Sequence, residues 1–316
     1  CHTSVKHFHS LNGVLSVTRF THPFKSTCRL LALGAATAMP FAVAVAAEVH
    51  AEDLCGGRCG SSGSEFTALF EVQEQPACGL NPRGDCGPGT LFQWSGQPVT
   101  AGGPDLDAPL VTDRPDFTEA SSTVGCGVAQ LEFGYTYTFD EDGGSSTKSH
   151  SYPEPLLRYG VLQDWLEFRI AWNYTNEESA GVKQSGSEDL YLGFKIGLTP
   201  QDGWRPEMAL IPQMTVPTGS DAFTTDEVLP GLNWIYGWEL TDTVSTAGST
   251  QFNRAVDEMT ADTYTEWAQS WTVAYTLTET VGAYTEWFAL IPSGADTART
   301  EHYFNGGFTW LMNNDV

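Results

Sequence analysis

Seven charged side chains sit where they could act on a passing solute: Glu132, Arg158, Glu167, Arg169, Lys195, Glu207 and Glu239. Each falls on the polar side of a stretch in which apolar and polar residues alternate, so each points away from an apolar face. If the polar faces line a lumen, these groups form a charged ring or ladder that selects what passes. The alternative is that they pair across neighbouring strands and fill the space, since cross-strand ion pairs are ordinary. A second group, Asp113, Arg114, Asp116 and Glu119, precedes the first alternating stretch. These residues either plug or gate the lumen from the periplasmic side, or cap the structure and tie the N-terminal part to its base. The Asp-Arg-Pro-Asp composition favours a fixed turn network over a mobile gate.

Catalytic equipment is sparse. Five of the seven His lie before residue 51, leaving His150 and His302, and neither sits in a ligand-spaced pair. There is no G-x-S-x-G and no H-E-x-x-H. A Ser–His hydrolase would have to recruit His302 and some serine, and no motif supports it. The expectation is a non-enzyme without cofactor or metal. Cys55, Cys59, Cys78 and Cys86 suit two short-range disulfides in an exported chain. A zinc site is the alternative, but the spacings Cys-x3-Cys and Cys-x7-Cys are loose and no His is near. Cys126 is left over.

The elements that must position the charged groups are strands. Residues 130–139 alternate without a break: Leu131, Phe133, Tyr135, Tyr137 and Phe139 on one side, Gln130, Glu132, Gly134, Thr136 and Thr138 on the other. Nine further strands are expected at 155–162, 165–175, 188–198, 206–216, 230–240, 243–253, 264–277, 281–291 and 302–311, the fifth weakened by Pro212 and the seventh polar throughout. The third sets Leu166, Phe168, Ile170, Trp172 and Tyr174 against Glu167, Arg169, Ala171 and Asn173. The sixth sets Leu232, Trp234, Tyr236, Trp238 and Leu240 against Gly231, Asn233, Gly237 and Glu239.

The connections sort by length. Short ones fall at 162–164, 198–203, 240–242 and 277–279; longer hydrophilic ones at 140–152, 176–187, 217–229, 254–263 and 292–301. Short turns at one end of an up-and-down meander and long loops at the other are a property of outer-membrane barrels. A sandwich with Greek-key crossings does not sort its loops this way. The large aromatic content suits girdles at the two membrane interfaces.

Charge and the N-terminal region bound the rest. The chain carries 15 Lys and Arg against 39 Asp and Glu, a formal charge of -24, which excludes nucleic acid as a partner. Residues 1–25 receive no assignment. Residues 26–51 combine a basic start (Arg29, following Lys25), an apolar run and small-residue cleavage sites, the form of a secretory signal peptide. An uncleaved membrane helix is the alternative. Residues 52–111 read as a flexible, Cys/Gly/Pro-rich periplasmic segment, and 112–316 as the barrel. The chain begins at Cys1 and stops on Asn314-Asp315-Val316 with ten strands visible; an open edge is not tolerated in lipid, so the intact barrel is expected to have about twelve.

Thr112-Asp113-Arg114-Pro115-Asp116-Phe117-Thr118-Glu119, followed by Gln130-Leu131-Glu132-Phe133-Gly134-Tyr135, resembles the outer-membrane barrels of the family called "putative meta-pathway of phenol degradation". Pro155-Leu156-Leu157-Arg158-Tyr159-Gly160, Pro217-Thr218-Gly219 and Tyr303-Phe304-Asn305-Gly306-Gly307 extend the likeness over about residues 110–316. The resemblance implies an outer-membrane channel in a Gram-negative-type bacterium, surrounded by lipid and admitting small hydrophobic or aromatic molecules. The expected fold is therefore all-β: an up-and-down antiparallel transmembrane barrel with a disordered N-terminal segment. Two other readings stay open: a non-conducting structural or surface-binding barrel, and a secreted soluble β-protein with its aromatic faces internal.

Overall fold

Alternation of large outward and small or charged inward residues organises the computed structural model into one long antiparallel meander. It describes residues 88–98, 101–105, 108–142, 145–257 and 259–312, together with the backbone of three short strands further upstream. Most of the expected signal peptide and of the segment holding Cys55, Cys59, Cys78 and Cys86 lies outside the described residues.

The upstream strands are β1 (Leu11–Asn12), β2 (Thr18–Phe20) and β3 (Ala46–His50). They are followed by β4 (Val128–Glu132), β5 (Thr136–Asp142), β6 (Ser145–Ser151), β7 (Leu156–Gly160) and β8 (Leu166–Ala171). Next come β9 (Tyr174–Ser179), β10 (Val182–Ser187), β11 (Leu190–Thr199), β12 (Glu207–Val216) and β13 (Leu229–Thr241). The last four are β14 (Val244–Val256), β15 (Thr263–Thr276), β16 (Val281–Ser293) and β17 (Glu301–Trp310). The main sheet runs β17-β16-β15-β14-β13-β12-β11-β8-β7-β4, and β3 and β2 extend it at the β4 edge. Ten strands from β4 onward thus form the all-β, up-and-down antiparallel sheet expected from the sequence. Pro212 does sit inside β12, opposite Leu232, and the polar stretch near 243–253 is the full-length strand β14.

One expectation is corrected. The stretch 130–139 is not one strand: the chain breaks at Phe133-Gly134-Tyr135 between β4 and β5. The third expected strand breaks likewise between β8 and β9, and the segments 140–152 and 176–187, read as loops, are mostly the hairpins β5–β6 and β9–β10. Those four strands pair in the order β5-β6-β9-β10, with β1 on the β5 edge, as a separate sheet. The break has identifiable causes. Pro153 and Pro155 offer no N–H to a ladder. Glu154 turns in, at a positive φ of 46°, to pair with Arg114 at 3.0 Å. A Cβ on Gly134 would lie 2.5 Å from the Glu154 carboxylate, so only glycine passes there. Glu188 ties the other pair of strands by accepting from Asn173 Nδ2 at 3.0 Å and from the Thr175 hydroxyl.

The two faces of the main sheet are inverted relative to a soluble protein. The largest fully buried side chains are Arg158, Arg169 and Lys195, at 1%, 1% and 0% exposure. Trp234, Trp267 and Trp271 on the other face are 43%, 46% and 42% exposed. The apolar core proper is small, consisting of Ala209, Ile211 and Ile235. On the outer face Trp234, Tyr236, Trp238 and Trp271 form a continuous aromatic patch, with ring centroids 5.1 to 6.2 Å apart along the chain of contacts. Gly248 lies under it: a Cβ there would sit 2.7 Å from the Tyr236 ring. Covering a strand glycine with an aromatic ring restores contacts the glycine lacks.

Candidate functional site: an inner segment clamped by buried charges

The strand register creates a problem that the segment 112–123 solves. Pairing of β7 with β8 sets Arg158 directly opposite Arg169, and pairing of β8 with β11 sets Glu167 opposite Lys195. Like charges directly opposite one another destabilise a sheet. The inner wall from β4 to β11 therefore holds three cations (Arg158, Arg169, Lys195) against two carboxylates (Glu132, Glu167), all buried. Asp113 enters between them. Its carboxylate accepts from Lys195 Nζ at 2.8 Å on both oxygens, accepts from Arg169, and lies 3.2 Å from Arg158 Nε. With Asp113 and with Glu119, which accepts from Arg169, each of the three cations has a carboxylate partner.

The remaining bonds fix the geometry. Arg158 donates to both oxygens of Glu167, at 2.8 and 3.0 Å, and to Glu132 at 3.3 Å. It also donates to the carbonyls of Val111 and Ser122 at 3.1 and 3.2 Å. Lys195 donates to the Ala120 carbonyl at 2.8 Å. The Asp113 amide donates to Glu132, and the Val124 amide to Glu167 at 3.0 Å. Glu119 accepts from Arg169 and, at 2.9 Å, from Asn233 of β13.

On the far side the segment reaches β16. Glu286 accepts the amides of Phe117 and Thr118 at 2.8 and 2.7 Å and the Thr118 hydroxyl at 2.7 Å. The Thr118 hydroxyl also meets Ser270 of β15 at 2.6 Å, and the Phe117 ring stacks on Phe288 with centroids 4.4 Å apart. Ser121 donates to Glu207 of β12. One twelve-residue segment thus touches β4, β7, β8, β11, β12, β13, β15 and β16. Only a sheet curled around that segment lets strands so far apart reach it.

Two carboxyls of the segment are driven in opposite directions. Burial raises Asp113, but Arg158, Lys195 and Arg169 outweigh it and hold the group well below the usual carboxylate range. Asp116 has no such partners. Burial, with Glu286 beside it, pushes its carboxyl well above that range.

Of the residues singled out from the sequence, Glu132, Arg158, Glu167, Arg169, Lys195, Asp113 and Glu119 converge in this one network. Arg114 serves the strand break through Glu154, and Asp116 lies next to Glu286. Glu207 accepts from Ser121 and from the Gly103 backbone. Glu239 stands on the inward face at the exposed short-turn rim, where its backbone exchanges bonds with the Gln201 side chain at 2.7 and 3.0 Å. The sequence reading missed Gln130, Asn233, Ser270 and Glu286, all buried on the inner face. The signal for Glu286 was present, since Trp287 and Ile291 alternate against Tyr284 and Glu286, but the run also contains Phe288 and Leu290 on the inner side.

Part of the stretch expected to be flexible is docked at the short-turn end. Leu91 and Phe92 amides donate to the carbonyls of Gly197 and Leu198 at 2.8 and 2.7 Å, and Trp94 donates to the Pro200 carbonyl at 2.6 Å. Between this end and the inner wall of β12 to β15 lies a cavity of about 550 Å³. Among the described residues no three His, Cys, Asp or Glu side chains converge as a metal site.

A comparison with curated proteins returns no match. A family model described as "Putative MetA-pathway of phenol degradation" matches residues 112–316, which are the whole segment-and-sheet unit. It begins at Thr112, the residue before the Asp113 anchor, so the clamped segment and the sheet are matched as one unit. The chain belongs to that family.

Proposed function

We propose that this protein is an outer-membrane channel through which small, hydrophobic or aromatic molecules diffuse passively, and that it has no enzymatic activity. One observation carries the reading: the main sheet buries Arg158, Arg169, Lys195 and Glu167 while exposing a band of Trp and Phe side chains. Phe304, Phe308 and Trp310 on β17 are 81%, 78% and 74% exposed. Water does not favour such a band, whereas a bilayer does. The sorting of short and long connections supports the same reading, with the short-turn end toward the periplasm. The signal-peptide form of residues 26–51 supports export. Neither His150, which contacts the Tyr135 hydroxyl at 2.7 Å, nor His302, stacked on Trp287 on the outer face, stands beside a serine nucleophile.

The test has two parts. Protein refolded in detergent should migrate faster unheated than boiled, and its tryptophans should be quenched by brominated lipid. Incorporated into a planar bilayer, it should conduct. Solubility without detergent would sink the reading. A second reading, a non-conducting structural barrel, is favoured by the segment that spans the lumen from Lys195 to Glu286; insertion without current would select it.

A further inference from the structure

We infer that the cavity at the short-turn end is a solute-binding vestibule that takes neutral or cationic amphiphiles of about one aromatic ring and rejects anions. The inference rests on the channel reading for its purpose, but the site itself stands on geometry. At about 550 Å³ the cavity is within the range of small-molecule sites and several times what one ring needs. One wall is the N-terminal segment, with Leu110, Val111 and Val124 facing in; the other is the small-residue surface of β12 to β15, including Gly237, Ala247 and Thr272. Apolar and hydroxyl-bearing residues are interspersed there, as suits a body with one polar end.

Charge decides the rest. Among the described residues the charged ones in the lining are Asp105, Glu207 and Glu239, and none is Lys, Arg or His. Two buried cations lie behind the wall, and each is neutralised there: Lys195 donates to Asp113 and to the Ala120 carbonyl, and Arg158 donates to Glu167 and to the Val111 and Ser122 carbonyls. A carboxylate entering this space would meet three carboxylates and no base, in a site partly shielded from water where Coulomb forces are strengthened. An ammonium or a hydroxyl donor would be received by the same groups.

The test uses the full chain folded in detergent and three probes alike in shape: benzyl alcohol, benzylammonium chloride and sodium benzoate. Calorimetric titration should give saturable binding of the first two, with benzylammonium roughly tenfold or more tighter than benzoate. Ala247→Phe, which narrows the cavity, should weaken binding severalfold, and protein-free detergent micelles serve as the blank for partition. Combined Glu207→Gln and Glu239→Gln, which leaves only Asp105 of the three carboxylates named above, should reduce the preference for the cation severalfold while leaving benzyl alcohol bound. Should Ala247→Phe fail to show a heat-modifiable band, Glu239→Lys at the exposed rim replaces it and should weaken benzylammonium severalfold. Benzoate binding as tightly as benzylammonium, or binding unchanged in these variants, overturns the proposal. Bilayer recordings separate it from the channel reading: binding without current leaves the site and removes the channel, and current without binding does the reverse.

Discussion

Asp113→Asn isolates what the buried network does. The substitution keeps the size of the side chain and removes its charge. Asp113 is 3% exposed and faces Lys195 at 2.8 Å on both oxygens, Arg169, and Arg158 at 3.2 Å. Without that charge Lys195 loses its ion pair, while Glu132, Glu167 and Glu119 remain for Arg158 and Arg169, which still stand opposite one another. Removing one partner of a buried pair costs about 3–5 kcal/mol, and the asparagine carbonyl can still accept one bond from Lys195, so the lower end, about 3 kcal/mol, applies. At about 1.4 kcal/mol per decade, docking of residues 112–123 weakens roughly a hundredfold. The sheet keeps every backbone pair, so the heat-modifiable band should persist. Hydrogen exchange in peptides covering 112–123 should accelerate by about that factor, and, on the channel reading proposed above, single-channel conductance should rise as the segment leaves the inner face. The double variant Asp113→Asn with Lys195→Met removes one charge of each sign, so its loss should fall short of the sum of the single losses. Unchanged exchange and unchanged conductance in a correctly folded Asp113→Asn would refute the view that this carboxylate anchors the segment.

Other perturbations test the rest of the architecture. Glu286→Ala strands two amides and a hydroxyl of the segment's far end; it should loosen 112–123 by about 2 kcal/mol, less than Asp113→Asn, read by the same exchange experiment. Gly160→Val should abolish the heat-modifiable band, because a Cβ at that position would lie 1.6 Å from the Gly125 carbonyl oxygen, a backbone atom that cannot step aside. Asp257 joins the 257–262 and 294–300 connections by accepting the Thr297 hydroxyl and amide and the Ala298 amide, and these bonds hold its carboxyl below the usual range. A folded-state value below the unfolded one, about 3.9, means this tie is fully present above pH ~4 and is lost only as the pH falls through the lower folded value. Proteolysis of these two connections should therefore stay constant from pH 8 to about pH 4 and increase below it, whereas Asp257→Asn should be cleaved rapidly at every pH.

What the sequence determined by itself was what depends on local period. A strand's side chains alternate with period two whatever its neighbours, so ten strands, their outward faces and the inward placing of Glu132, Arg158, Glu167, Arg169 and Lys195 could all be read from spacing. Turn lengths are equally local. Register is not: nothing within residues 156–160 or 166–171 says that Arg158 will stand opposite Arg169, because register is set by pairing between strands. That juxtaposition gives Asp113, a residue outside any strand, its place, and it converts a suspected ladder of cross-strand pairs into a clamp on the segment 112–123. The strand breaks at Gly134 and Pro153 also needed the tertiary structure. An uninterrupted alternation from 130 to 139 carries no mark of the Glu154 carboxylate that packs against Gly134, since that contact joins two segments of chain folded together only by the sheet. The cavity between residues 102–105 and 108–124 on one side and β12 to β15 on the other belongs to the same class: its walls are local, and its space exists only where they meet.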